Sequence, residues 1–238
     1  MIKPQSEAHS ADNSIASVRI VDLVEHARRP GRFLLTLSDE RTFTLSASLL
    51  ADLGATRNGA ALDGAALDGA ALSKLENEAE VLRVMDRAVA SLSRGRRTRR
   101  ELEQRLRRVK PGMLAPDVAT VVVALDRLVE SGVLCDEAVA RAEASSRLRR
   151  GDAPRRVEMI LQRKGIERRA AADAVAVAVM EDEIDEDAQC RLVAEKRMRS
   201  LAKLETNVAK RRLMAFLLRR GYGSSSIRLA MAEPFDSR

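Results

Sequence analysis

Three stretches of this chain share one design, and their recurrence constrains the fold more than any other feature. Thr98 to Arg108 reads as a short helix with Leu102, Leu106 and Val109 on one side and arginine over most of the rest. Asp152 to Gly165 has the same build, with Val157 and Leu161 in the corresponding places. Thr206 to Gly221 has it again, with Leu213 and Leu217. Segments of one design spaced roughly 55 residues apart indicate an internal repeat of supersecondary units. Longer stretches of helical period flank each one, so the unit is read as three helices.

The local signals support that unit. Thr98 with Glu101 three places on is a capping-box signature. Pro154 suits the first turn of a helix, where a missing N–H costs nothing. Gly95, Gly132, Gly165 and Gly221 close helices. The first unit spans residues 73–134, with Leu82, Met85, Val89 and Leu92 predicted inward on its first helix. Its third helix carries Val118, Val121, Val122, Leu125, Leu128 and Val129. The second unit, 135–187, opens with a helix whose inner face is read as Ala138, Ala142, Ser145 and Leu148, and ends in the acidic hinge Glu181 to Asp187. The third unit covers 188–232, and a polar tail occupies 233–238.

Ahead of the repeats the texture differs. Residues 1–13 are polar and predicted to be disordered. Residues 14–57 read as a small β-rich region. Val18 and Ile20 alternate with Arg19, and Pro30-Gly31 marks a turn. Phe33, Leu35 and Leu37 then pair, through a loop at Ser38 to Arg41, with Phe43 and Leu45. Residues 58–72 repeat the unit Gly-Ala-Ala-Leu-Asp. Calcium loops need several closely spaced oxygen ligands, and only Asp63 and Asp68 carry charge here, so a surface loop is expected.

Charge is segregated along the chain. Residues 1–82 hold 8 Lys and Arg against 12 Asp and Glu, whereas residues 83–238 hold 34 against 23. A basic repeat array attracts polyanions: nucleic acid, an anionic membrane or an acidic protein face. With no Trp, one Tyr and four Phe, binding through stacked bases is disfavoured. Cys135 and Cys190 lack metal-like spacing and read as small core residues of a reducing compartment. No apolar run approaches the roughly 20 residues of a membrane span, and no secretory signal follows the N-terminus. A cytoplasmic monomer is expected.

Nothing in the chain composes a catalytic set. His9 and His26 have no positioned partner. No Gly-rich loop carries the Lys-Ser/Thr of a P-loop. Glu101 and Glu103 read as solvated charges. No enzyme activity, cofactor or metal is expected.

Taken together, certain residues resemble the RecX family of bacterial regulators of the recombinase RecA. They are Arg99-Arg100-Glu-Leu102 with Leu106 in the first unit, and Asp136-Glu-Ala-Val-Ala, Arg149-Arg150-Gly151, Ile160-Leu161 and Lys164-Gly165-Ile166 in the second. In the third they are Phe216-Leu217 and Arg219-Arg220-Gly221-Tyr222. The likeness runs from about Leu82 to Ala232, and the sheet with Phe33 and Phe43 resembles an N-terminal extension of some members. Val139 stands where the family often has an aromatic residue. The resemblance implies a mainly α fold: tandem three-helix repeats in an elongated curved array, with a small N-terminal antiparallel β extension. It implies binding to RecA-type recombinase filaments on single-stranded DNA, with inhibition of filament growth, ATP hydrolysis and strand exchange.

The candidate contact residues are the arginine runs that recur in step with the repeat. They are Arg96, Arg97, Arg99, Arg100, Arg105, Arg107 and Arg108 in the first unit. In the second they are Arg149, Arg150, Arg155, Arg156, Arg163, Lys164, Arg168 and Arg169, and in the third Arg211, Arg212, Arg219 and Arg220. One such run is more simply a solvated helix face. Runs at matched positions of stacked units make a continuous stripe, and arginine suits bidentate contact with phosphate or carboxylate. A general helical DNA- or RNA-binding protein is the alternative, since three-helix units also resemble helix-turn-helix modules.

Overall fold

The computed structural model describes residues 18–52, 66–108 and 114–236. The expected disordered tail 1–13, most of the Gly-Ala-Ala-Leu-Asp repeat and Val109 lie outside the described residues. The chain divides into two compact units, one of residues 1–86 with 116–124 and one of residues 87–115 with 125–238.

The first unit holds the sheet. Strands β1 (Val18–Glu25), β2 (Arg32–Leu37) and β3 (Thr42–Ser46) form an antiparallel meander. Leu35 pairs with Phe43 and Phe33 with Leu45, so alternation puts Leu35, Leu37 and Leu45 on the inner face with Ile20. Gly31, at φ +74°, and Glu40, at φ +65°, make the two turns. Helix α1 (Ala47–Asp52) follows at once and adds Leu50 to the core. A two-residue strand, β4 (Ala66–Leu67), pairs with the outer edge of β1. Helix α2 (Gly69–Leu92) supplies Leu75, which closes that core. A sheet this small needs such a cover. Arg41 bridges Asp39 at 2.7 Å and Glu76 of α2 at 2.6 Å, while Arg29 pairs with Asp86.

Helix α2 begins four residues before Ser73. Asp68 accepts a hydrogen bond from the Ala71 N–H at 2.6 Å, which caps the earlier start. Glu76, Glu78 and Glu80 therefore stand beyond the first turn. The buried apolar residues of α2 are Leu75, Val81, Leu82, Val84 and Ala88, whereas Val89 is exposed. That corrects the inward face predicted through Val89.

Helices α3 (Arg99–Arg107), α4 (Val118–Glu130), α5 (Asp136–Arg149), α6 (Pro154–Arg163) and α7 (Arg168–Glu181) follow in order. Helices α8 (Glu186–Leu201), α9 (Thr206–Arg219) and α10 (Ser224–Asp236) complete the chain. On α4 the buried residues are Val121, Ala124, Leu125 and Leu128, whereas Val118, Val122 and Val129 are exposed.

In the second unit, α5, α6 and α7 enclose one core. Leu148, Val157, Leu161, Ile166 and Val175 meet five alanines there: Ala140, Ala144, Ala171, Ala174 and Ala178. Helices α8, α9 and α10 enclose another, built on Cys190, Ala194, Leu201, Leu213, Leu217, Tyr222 and Ile227. Alanine at these positions lets helix backbones approach closely while adding little side-chain entropy cost. The inner face of α5 is Val139, Ala140, Ala144 and Leu148. Ala138 is exposed and Ala142 and Ser145 are half-buried, which corrects the predicted face by about one position. Cys190 is a core residue as expected, but Cys135 is exposed, where its sulfur accepts from the Ala138 N–H at the start of α5. The acidic hinge is partly a cap: Asp185 accepts from the N–H groups of Asp187 and Ala188.

Candidate polyanion-binding face

The three basic helices have matching apolar seams. Leu102 and Leu106 of α3, Val157 and Leu161 of α6, and Leu213 and Leu217 of α9 are all buried. With only two or three buried positions each, most of every helix surface is left to charged residues. The ends are specified locally. Thr98 and Glu101 form the expected reciprocal capping box on α3. Pro154 is the first residue of α6, and Glu205 caps α9.

These helices meet end to end. The Thr98 hydroxyl donates to the Lys164 carbonyl, at the C-cap of α6, at 2.6 Å. The Ala153 N–H, at the N-cap of α6, donates to the Arg220 carbonyl, at the C-cap of α9, at 2.9 Å. The cap hydroxyl at the start of α3 and the backbone N–H at the start of α6 thus meet carbonyls left over at another helix end. At each contact the positive start of one helix meets the negative end of another. Close approach is possible because a glycine follows each C-cap. A Cβ on Gly165 would lie 2.6 Å from the Arg100 Cβ, and one on Gly221 would lie 2.5 Å from the Arg156 Cβ. The three helices joined in this way, α9, α6 and α3, are each rich in basic residues.

The candidates separate by what they touch. Arg99 bonds Asp126 at 2.7 Å, Arg107 bridges Glu103 at 3.5 Å, and Lys164 lies between Glu101 and Glu143. Arg149 pairs with Asp182 at 2.6 Å. That guanidinium, with the Ser145 hydroxyl, holds the Asp182 carboxyl below the usual carboxylate range. Arg156 and Arg220 both engage Asp152, and Arg220 also stacks on Phe216 at 5.3 Å. These side chains are committed to the fold. Arg96, Arg100, Arg105, Arg108, Arg150, Arg155, Arg163 and Arg219 are exposed. So are Arg168 and Arg169 on α7 and Arg211 and Arg212 on α9. Arg97 is held by the Ser91 hydroxyl at 3.0 Å.

Two grooves gather five of the exposed ones. The first, about 350 Å³, lies where α6 meets α9, with Arg155, Arg163 and Arg219 around Met159, Leu218 and the cap Gly221. Tyr222 forms its floor; its hydroxyl donates to the Gly151 carbonyl at 3.1 Å, and burial pushes its pKa upward. The second, about 780 Å³, lies between the end of α2 and α3 and collects Arg97, Arg105 and Arg108 with Arg87 and Arg94. Arg87 and Arg94 are absent from the sequence-derived set. Arg87 lies on α2 and Arg94 two residues past its end, so no shared helix face joins them in the sequence. Arg96, Arg100, Arg150, Arg168, Arg169, Arg211 and Arg212 line neither groove.

Comparison with known proteins decides the family. Residues 185–231, covering α8, α9 and most of α10, match the third three-helix domain of RecX. The regulatory protein RecX of Halorhodospira halophila is 36% identical over 152 residues, 63% of this chain and 86% of its own length. The chain belongs to the RecX family. The RecX of Thermobifida fusca is 35% identical over 137 residues, 56% of this chain and 68% of its own length. A crystal structure of regulatory protein RecX superposes with a TM-score of 0.69 at 18% identity, covering 91% of this chain and all of the other. RecX from Lactobacillus salivarius gives 0.51 at 19% identity, covering 65% and 96%. These two likenesses concern the fold: a mostly helical RecX architecture with a small N-terminal sheet. Among the described residues no helix is long and apolar enough to cross a membrane, and no cluster of His, Cys, Asp and Glu could hold a metal ion.

Proposed function

We propose that the chain is a non-catalytic regulator of homologous recombination and DNA repair. It binds RecA-type recombinase filaments on single-stranded DNA and inhibits their growth, ATP hydrolysis and strand exchange. The observation that carries this reading is the end-to-end joining of α9, α6 and α3. Repeated units meet a repeating fibre best when their contacts recur in register, and Arg219, Arg155, Arg163, Arg100 and Arg105 are exposed on the three helices so joined. Membership of a family of regulatory proteins supports the same reading.

Affinity from exposed arginines is electrostatic and falls steeply with salt. The committed arginines, Arg149 and Arg220 among them, position the units and contribute little direct contact. The test is strand exchange by the host recombinase with and without this protein. The expected result is inhibition at near-stoichiometric amounts, accompanied by co-sedimentation with filaments. Absence of inhibition, with a footprint on duplex DNA in the absence of recombinase, would overturn the reading in favour of a general DNA-binding protein.

A further inference from the structure

We infer that the cleft between the end of α2 and α3 is a phosphodiester-binding site that grips the backbone of single-stranded nucleic acid without help from a recombinase. This deepens the reading above, which invokes a filament on single-stranded DNA, and it assigns the DNA contact to one place.

The cleft concentrates five guanidinium groups, those of Arg87, Arg94, Arg97, Arg105 and Arg108, against one carboxylate, that of Glu101. The carboxylate is already spent. It accepts from the Thr98 N–H at 3.1 Å and faces Lys164 at 3.5 Å. Two of the arginines are set in place by neutral acceptors, which leave their charge intact. Arg97 donates to the Ser91 hydroxyl at 3.0 Å and Arg87 to the Leu106 carbonyl at 3.0 Å. The second bond also covers a carbonyl at the negative end of α3, which would otherwise repel an anion. Arg94, Arg105 and Arg108 are exposed around them. Guanidinium groups fixed as forks suit bidentate contact with phosphate oxygens.

The shape and lining favour a backbone over a base. At about 780 Å³ the cleft is roomy and open to solvent. Among the described residues no aromatic ring lines it, so successive bases have nothing there to stack on. Backbone contacts position a strand without reading its sequence. The groove between α6 and α9 differs, because Met159 and Leu218 expose apolar surface there beside the arginines.

The test uses the full chain and an end-labelled oligothymidylate of about twenty nucleotides, followed by fluorescence anisotropy without recombinase. Arg94→Gln with Arg105→Gln removes two cleft charges at exposed positions. Lys196→Gln with Arg199→Gln on α8 removes the same charge elsewhere. The cleft pair is expected to weaken binding at least tenfold and to lower the salt slope by about 1.4, the value for two lost phosphate contacts on a single strand. The α8 pair is expected to change binding less than twofold. Equal losses from the two pairs, or none from the cleft pair, would overturn the inference. Strand-exchange inhibition by the wild type is scored separately. A protein that binds DNA through the cleft but does not inhibit would leave this inference standing and remove the proposed function.

Discussion

The two places where helices meet end to end have the same geometry and opposite charge logic. Where α3 meets α6, a cation sits between anions: Lys164 lies 3.5 Å from Glu101 and 3.4 Å from Glu143. Where α6 meets α9, an anion sits among cations: Asp152, almost buried, receives Arg147 at 3.3 Å, Arg156 at 3.5 Å and Arg220 at 3.2 Å. One residue of α5 joins the two sets, since Arg147 also holds Glu143 at 2.5 Å. What stays constant is the glycine cap and the backbone carbonyl behind it. The difference teaches that steric fit sets the junction, while the ion pairs around it are interchangeable in sign. The glycines are therefore expected to matter more than the charges.

The largest effect should come from Gly221→Ala. The residue sits at φ +89°, and the added Cβ would meet the Arg156 Cβ at 2.5 Å and its backbone nitrogen at 3.3 Å. Left-handed strain of about 1–2 kcal/mol adds to overpacking of about 1–3 kcal/mol. Gly165→Ala, at φ +93°, meets only the side chain of Arg100 and should cost less. Gly132→Ala, at φ +71° with nothing within 4 Å, carries the strain alone, about 1–2 kcal/mol. Urea midpoints followed by circular dichroism should rank the three in that order. A Gly132 variant as unstable as the Gly221 variant would remove the steric account.

The charge exchange comes next. Asp152→Asn leaves three guanidinium groups around a neutral amide. Their partial exposure tempers the loss to about 1–3 kcal/mol, below the cost of breaking a fully buried pair. Lys164→Met at the other junction removes a cation exposed over a quarter of its side chain, and should cost about 0–1 kcal/mol. If Lys164→Met proved the more damaging, the junction at α3 would depend on its ion pairs and the comparison would reverse.

The repeat itself was legible because its punctuation is local. Thr98 and Glu101, Pro154, and the glycines at 165 and 221 each act within a few residues, so their chemistry can be read along the chain. The inner face of α5 was not legible. Alanine dominates it, and a residue so small fits an inner or an outer position; the contacts of α6 and α7 decide that Ala140 and Ala144 turn inward while Ala138 does not. Nor could sequence separate Arg100 from Arg99, since Asp126, which holds Arg99, is 27 positions away. The cleft was missed for a related reason. Arg87 is a single arginine in a helix otherwise read for its apolar face and Arg94 a single arginine in the turn beyond it, and only folding sets them beside Arg105 and Arg108.

The smallest effect tests the link between the two junctions through its acidity. Burial raises the Glu143 pKa, but the hydrogen bond from Arg147 and the charge of Lys164 outweigh it, so the group is held below its ordinary value of 4.5. A depressed carboxylate contributes stability that is complete above its unfolded pKa and is lost as pH falls through the folded one. Asp136 runs the other way: burial raises its pKa despite the bond it accepts from the Arg99 N–H, so it costs stability at neutral pH and relieves that cost in acid. The absolute Tm therefore mixes opposite signs, and the useful quantity is the difference between wild type and Glu143→Gln. That difference should be largest near neutral pH, about 1–3 °C for a pair of this exposure, and should shrink as pH falls below 4.5. A difference independent of pH would mean that Glu143 contributes by packing alone, and that Arg147 does not couple the two junctions by charge.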